Sequence, residues 1–244
     1  MTSSKAVISV GVGQRFAQGL KRLMTGLVAN GFSGGTHLWG EYPEGCPTHE
    51  EIPYGFKPWA FDWARRQGYK EVLWLDSACV PVKPLSKLFR MMKKGYVFAY
   101  SPLRIWEWCS DACAEKMGIS RENLHGLCPS MWATAMGLNF NTPIANAFLD
   151  RWLEHSHDGV TFHGDFENLD GSVSDDPEVK GHRHDQTVAT ILAFEMGMGF
   201  DWGVVAYDTG NAMPLDPTPD QVRIPNYPAI VLSNHNVKTK AHSD

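Results

Sequence analysis

The stretch from Tyr69 to Leu85, YKEVLWLDSACVPVKPL, constrains the fold more than any other part of the chain. Val72, Leu73, Trp74 and Leu75 make an unbroken apolar run with the length and composition of a strand buried on both faces. The run stops at Asp76. In an open α/β sheet, ligands sit beyond the carboxyl ends of the strands, so a carboxylate there is positioned to meet a ligand or its metal. Ser77, Ala78 and Cys79 are small enough for close approach. Pro81 and Pro84 then end the strand before a helical stretch from Leu85 to Lys93.

The remaining pattern alternates strand and helix signals. Ala6 to Val12 reads as the first buried strand and Gln14 to Ala29 as the helix after it, with Leu20, Leu23, Leu27 and Val28 on one side. Gly11 and Gly13 in the turn between them invite a dinucleotide-binding reading, but the fingerprint needs Gly at Phe16 and the next glycine is Gly19. A nicotinamide cofactor is therefore not expected. Thr36 to Trp39 reads as a second strand, Pro58 to Gln67 as a helix with Pro at its first position, and Gly95 to Tyr100 as a strand. The pattern predicts one helix over Ile105 to Lys116, a strand over Met131 to Phe140 and a helix over Ile144 to Leu153. Residues 154–183 are acidic, His- and Gly-rich and poor in apolar side chains, which predicts a long flexible loop. Its acids lack the regular spacing of a calcium loop. A helix follows from His184, and late strands are expected at Asp201 to Ala206 and Ala229 to Ser233.

The run LWLDSACVPVKPL, preceded by FKPWAFDWARRQGYKEV and followed by RHDQTVATIL, resembles the metal-binding segment of nucleotide-sugar-dependent glycosyltransferases with the GT-A fold. In that family an apolar strand runs into Asp-x-Asp, whose carboxylates hold Mn²⁺ or Mg²⁺ against the donor diphosphate. The resemblance implies a single α/β domain, a Rossmann-like mixed, mostly parallel sheet flanked by helices. It also implies transfer of a sugar from a nucleotide donor, a UDP-sugar being expected, to a hydroxyl on a glycan, protein or small molecule. Ala78 stands at the second Asp, so only Asp76 carries over. Either a distant ligand completes a divalent-cation site with Asp76, or metal binding is weak or absent.

Further positions acquire roles by the same resemblance. Val10, Gly11 and Gly13 would serve the nucleotide, or are plain turn residues. Lys57 would contact the diphosphate beside Asp76 and Ser77, or is a solvated surface lysine. Gly137, Asn139 and Asn141 would contact the donor sugar, or are structural. Asp185 would deprotonate the acceptor or stabilise a cation-like transition state, or would only cap its helix, with His184 and Gln186 beside it. His235 would be the distant metal ligand, and Lys238 or Lys240 would grip the diphosphate, a pattern found in retaining members; a chance His in a C-terminal tail is the alternative. The rival classes are a metal-dependent nucleotide-sugar or phosphoester hydrolase and a non-catalytic nucleotide-sugar binder.

Composition excludes other classes. A formal net charge of −5 over 244 residues argues against generic binding to a nucleic-acid backbone. No 18-residue apolar run exists and the N-terminus lacks a signal-peptide layout, which predicts a soluble, cytoplasmic chain. Five cysteines without CxxC spacing fit reduced thiols rather than a disulfide framework.

Overall fold

The apolar run ending at Asp76 is the middle of a five-stranded sheet in the computed structural model, which describes residues 4–207, 218–222 and 229–233. In chain order the first half gives β1 (Lys5–Val10), α1 (Gln14–Ala29), β2 (Gly35–Trp39), α2 (Phe56–Arg66), β3 (Glu71–Leu75), β4 (Cys79–Pro81), α3 (Ser86–Met91) and β5 (Tyr96–Ser101). The second half gives α4 (Asp111–Lys116), α5 (Arg121–His125), β6 (Ser130–Asn139), α6 (Pro143–Ser156), α7 (His184–Glu195), β7 (Val205–Tyr207), α8 (Pro219–Val222) and β8 (Val231–Ser233).

The main sheet has the order β2-β1-β3-β6-β5. β1 pairs in parallel with β2 and β3, while β6 runs antiparallel to both β3 and β5. Four strands thus point one way and β6 runs against them, the mixed and mostly parallel sheet that the pattern predicts. Successive side chains leave opposite faces. Ile8, Val72 and Trp74 enter one core with Phe61, Phe148 and Trp152, whereas Val7, Leu73 and Leu75 enter the other with Leu20, Leu23 and Leu27. A small second sheet, β4-β8-β7, lies against α1. No helix among the described residues is long and apolar enough to cross a membrane.

Two expectations need correction. The helix predicted over Ile105 to Lys116 is broken: a 3-10 turn covers Ile105–Trp108, Cys109 is extended, and Ser110 caps α4 by accepting from Cys113 N at 3.1 Å. A Ser hydroxyl competes better at a helix start than in a helix interior, so the helical pattern restarts there. Residues 157–183 contain no helix or strand, yet they are tied down rather than free. Asn168 donates from one amide to Ser174 O and Val179 O and accepts from Val173 N and Ser174 N. His182, fully buried, accepts from Ser110 N and contacts Thr161 O through Nε2. Burial pushes its ring down to about 4, so it is a neutral pin.

α1 approaches the chain beyond β3 closely enough that only glycine fits. A Cβ on Gly19 would lie 2.3 Å from Ser77 O, and one on Gly26 2.8 Å from Pro81 O. Both obstacles are backbone, which cannot swing aside. Gly19→Ala is therefore expected to destabilise the fold by about 1–3 kcal/mol, read from urea denaturation. An unchanged midpoint would show that α1 is free to move off the segment carrying Asp76.

Candidate active site

β1 and β3 are parallel, so Val10 to Gly13 and Asp76 to Ala78 emerge at one edge of the sheet. β6 is antiparallel to β3, with Leu75 opposite Ala135, so the first half of β6 reaches that same edge. Its pairing with β5 jumps from Phe98–Met136 to Ala99–Trp132, so the register shifts across Ala133, Thr134 and Ala135. This bulge turns backbone carbonyls toward the strand end. Thr134 O accepts from Asp76 N at 2.9 Å, and Ala133 O accepts from Lys57 Nζ at 3.1 Å.

Lys57 sits in the first turn of α2 and is 3% exposed. Its ammonium lies 3.2 Å from Asp76 Oδ1 and 2.9 Å from Asp185 Oδ2. The ammonium donates a hydrogen bond to Ala133 O and meets the two carboxylates as ion-pair contacts. The expectation that Lys57 contacts a diphosphate is thereby corrected: it is neither solvated nor free for a phosphate, but a strut between two carboxylates. Burial alone would lower its pKa, and the charges of Asp185 and Asp76 overcome that and raise it.

The two carboxylates differ. Asp76 Oδ1 also accepts from Trp74 Nε1 at 2.6 Å, while no described residue donates to Oδ2. Its side chain is 24% exposed. Asp185 is 3% exposed, and burial raises its carboxyl to about 6 against the pull of Lys57, with Asp76 adding repulsion. A carboxylate titrating there can hold or release a proton near neutrality.

Tyr54 and His184, the residues that lead into Lys57 and Asp185, both carry positive φ, 60° and 43°. For bulky side chains this is strained backbone. Their rings stack at 5.6 Å. His184 is pushed down to about 3 by burial and by His182, so it is neutral. Its Nδ1 lies 3.1 Å from the carbonyl of Phe162 and must therefore carry the hydrogen, which leaves Nε2 as an acceptor.

Two cavities meet at this cluster. The first, about 360 Å³, is walled by Trp132, Ala133, Thr134, Arg183, His184, Asp185 and Gln186. The second, about 400 Å³, is walled by Val10, Gly11, Val12, Phe16, Tyr42, Ser77 and Ala78. Tyr54, Lys57 and Asp76 border both. Each is of the size that binds a small molecule.

Of the residues expected at a site, Val10, Gly11, Lys57, Asp76, Ser77, His184, Asp185 and Gln186 are brought together. Gly13 is at the N-cap of α1 with φ 95° and is not part of either wall. Gly137 and Asn139 are corrections. Because β6 runs antiparallel, Gly137 pairs with Leu73 in the middle of β3 and Asn139 with Glu71 at its far end. Gly137 is packed against Met92 and Val97, and Asn139 donates to Met92 O and accepts from Asn141. The strand does back the first cavity, but through Trp132 to Thr134. His235, Lys238 and Lys240 lie outside the described residues. Tyr54, Trp132 and Arg183 were not anticipated. The link from Trp74 to Asp76 was readable, since residues two apart on a strand share a face.

The described residues do not fit a divalent cation on their own. Among them no group of three His, Cys, Asp or Glu side chains is arranged to hold a metal. Asp76 offers one unengaged oxygen, Ala78 offers none, and Asp185 is committed to Lys57. Mn²⁺ or Mg²⁺ bound there would need ligands from beyond these residues, waters or the substrate.

This sheet order, with the acidic strand end and its paired cavities, is the GT-A fold of the glycosyltransferases. The apo form of mouse xyloside xylosyltransferase 1 is similar with a TM-score of 0.50 at 11% identity, over 95% of this chain and 98% of that one. The WbbM bifunctional glycosyltransferase is similar with a TM-score of 0.53 at 10% identity, over 85% of this chain and 40% of that one. At such identities the likeness is one of fold. By sequence the chain matches no protein-family model and no curated protein.

The raised carboxyl of Asp185 has a stability consequence. A folded-state pKa lifted from 3.8 to about 6 means that the native protein binds this proton more tightly than the unfolded chain does. The contribution is complete below pH 3.8 and is lost as pH rises through about 6. Relative to Asp185→Asn, the wild type is expected to lose on the order of 3 kcal/mol between pH 4 and pH 7 in urea titrations. His182 and His184 act with the opposite sign and cancel in that comparison. A constant difference across the range would refute the assignment.

Proposed function

We propose that this protein transfers a sugar from a nucleotide diphosphate-sugar to a hydroxyl of an acceptor. The observation that carries the reading is the position of Asp76 on the border of two contiguous cavities, with Asp185 held beside it by a shared lysine. The cavity at the end of β1 suits the nucleotide, and a uridine carrier is the expected one. The cavity holding Asp185 and Gln186 suits the sugar and the acceptor.

The residues supply three things. Asp185, which titrates near neutrality, takes the acceptor proton or faces positive charge developing on the sugar ring. Lys57 fixes Asp185 and Asp76 relative to each other, so little reorganisation is needed as charge develops. Neutral His184 offers an acceptor nitrogen to a sugar hydroxyl. A divalent cation, if recruited, would polarise the leaving diphosphate, with Asp76 the one described ligand, and no step above depends on it. The C-terminal His pattern favours retention over inversion of configuration, and the anomeric proton signal of the product distinguishes the two.

A thermal-shift panel of UDP-, GDP-, ADP- and CMP-sugars, run in EDTA and in Mn²⁺, tests the donor. UDP-sugars are expected to raise Tm by a few degrees, in line with about 2.7 kcal/mol at a hundredfold excess over Kd. Asp76→Ala is expected to lose most of that shift. Stabilisation by another nucleotide class, or by none, removes the donor assignment. UDP release at the same rate with and without any acceptor would indicate a hydrolase.

A further inference from the structure

Arg183 stands on the wall of the first cavity in an arrangement that the transfer reaction does not require. Its guanidinium carbon lies 3.6 Å from the centroid of the Trp108 ring and 3.6 Å from that of Phe166. The two rings clamp the planar group between them, and such stacking both orients a guanidinium and leaves its edge available for hydrogen bonding. Among the described residues that edge meets no acceptor. Arg183 forms no ion pair, and its Nη1 is buried with no hydrogen-bond partner. Glu167 acts on it only from a distance, without pairing.

A buried donor left unmade costs about 1–3 kcal/mol, and more where it carries charge. The chain accepts this cost at a second point of the same wall, since Gln186 Nε2 is also buried without a partner. Arg183 and Gln186, three residues apart and the first a rigid cationic fork, both stand on the wall of a cavity whose other charged groups are engaged with one another. A planar guanidinium fork is matched by an acceptor with two oxygens. Its position is also informative. Arg183 borders the first cavity and not the second, so it stands away from the cavity at the end of β1. The clamp rings come from the 3-10 turn at Ile105–Trp108 and from the segment before α7, both outside the sheet edge that would receive the donor.

We propose that Arg183 recognises an oxyanion, a carboxylate or a phosphate monoester, on the acceptor, so that the preferred acceptor is an acidic sugar or a sugar phosphate rather than a neutral one. This rests on the transfer reading of the site. Charge-assisted paired hydrogen bonds of this kind are worth enough for roughly a tenfold or greater preference over a neutral analogue.

The test measures binding, so that it does not depend on turnover. Methyl glucuronide, methyl glucoside 6-phosphate and neutral methyl glucoside are titrated calorimetrically into the full chain with UDP present, and UDP is titrated alone beforehand. At least one charged probe is expected to bind roughly tenfold or more tightly than the neutral one, and which of the two does so separates carboxylate from phosphate. Arg183→Met should abolish the preference while UDP affinity stays unchanged. Arg183→Lys, which keeps the charge without the fork, should retain only part of it. Equal affinity for charged and neutral probes in the wild type, failure of both charged probes to bind, or a preference that survives in Arg183→Met overturns the proposal. UDP affinity reports separately on the transfer reading, since a chain that binds UDP but ignores the anions fails only on Arg183.

Discussion

A single buried ammonium shared by two carboxylates decides where four elements of this fold must lie. Lys57 comes from α2, Asp76 from the end of β3, Asp185 from α7 and the Ala133 carbonyl from the bulge in β6. Burial of any one of these charges alone would cost several kcal/mol, so the elements are held to one register with each other. The helix dipoles sharpen the constraint. Asp185 lies in the first turn of α7, where negative charge is favoured, whereas Lys57 lies in the first turn of α2, where positive charge is not. A lysine at that position is retained because two carboxylates face it.

The backbone on either side of this ion pair is strained in a matched way. Tyr54 precedes Lys57 by one helical turn, His184 precedes Asp185 by one residue, and both have positive φ. Their stacked rings close the space above the ammonium, which also lies 5.2 Å from the Tyr54 centroid. Strain of this sort persists only where surrounding contacts over-determine it. Here the burial of Lys57 and the contact of His184 with Phe162 O supply that determination. The chain thus holds its carboxylates in place before any ligand arrives.

The sequence made the sheet legible because β1, β3, β5 and β6 are buried almost throughout and read as largely apolar runs. α1 falls on the residues its periodicity predicts, from Gln14 to Ala29. What it could not reveal is direction. Nothing in MWATAMGLNF distinguishes a parallel from an antiparallel strand, so the sequence leaves the donor-sugar and structural readings of Gly137 and Asn139 side by side, and the antiparallel pairing favours the structural one. Asp76 and Asp185 were both identified as acids of interest, but each was read by itself. Their joining through Lys57 is a tertiary fact with no local signal, since a lysine in a first helical turn reads as surface. Arg183 was hidden for a related reason: the two rings that clamp it come from Trp108 and Phe166, distant in sequence and in segments without strong periodicity.

The charge layout suits sugar transfer on its own terms. The cluster of Asp76, Asp185 and Lys57 carries a net negative charge at the border of the two cavities, and each cavity has an arginine on its own wall, Arg15 on one side and Arg183 on the other. An anionic group in either cavity is repelled by the cluster and drawn toward the arginine. A substrate pair with a phosphate at one end and an acidic group at the other would therefore settle with its uncharged carbon–oxygen part beside the carboxylates. Positive charge builds on a sugar ring as its bond to the leaving group breaks. Fixed carboxylates beside that ring stabilise it most where water is excluded and where they need not reorient. The buried lysine is what keeps them fixed without cancelling them, because one positive charge is divided between two negative ones.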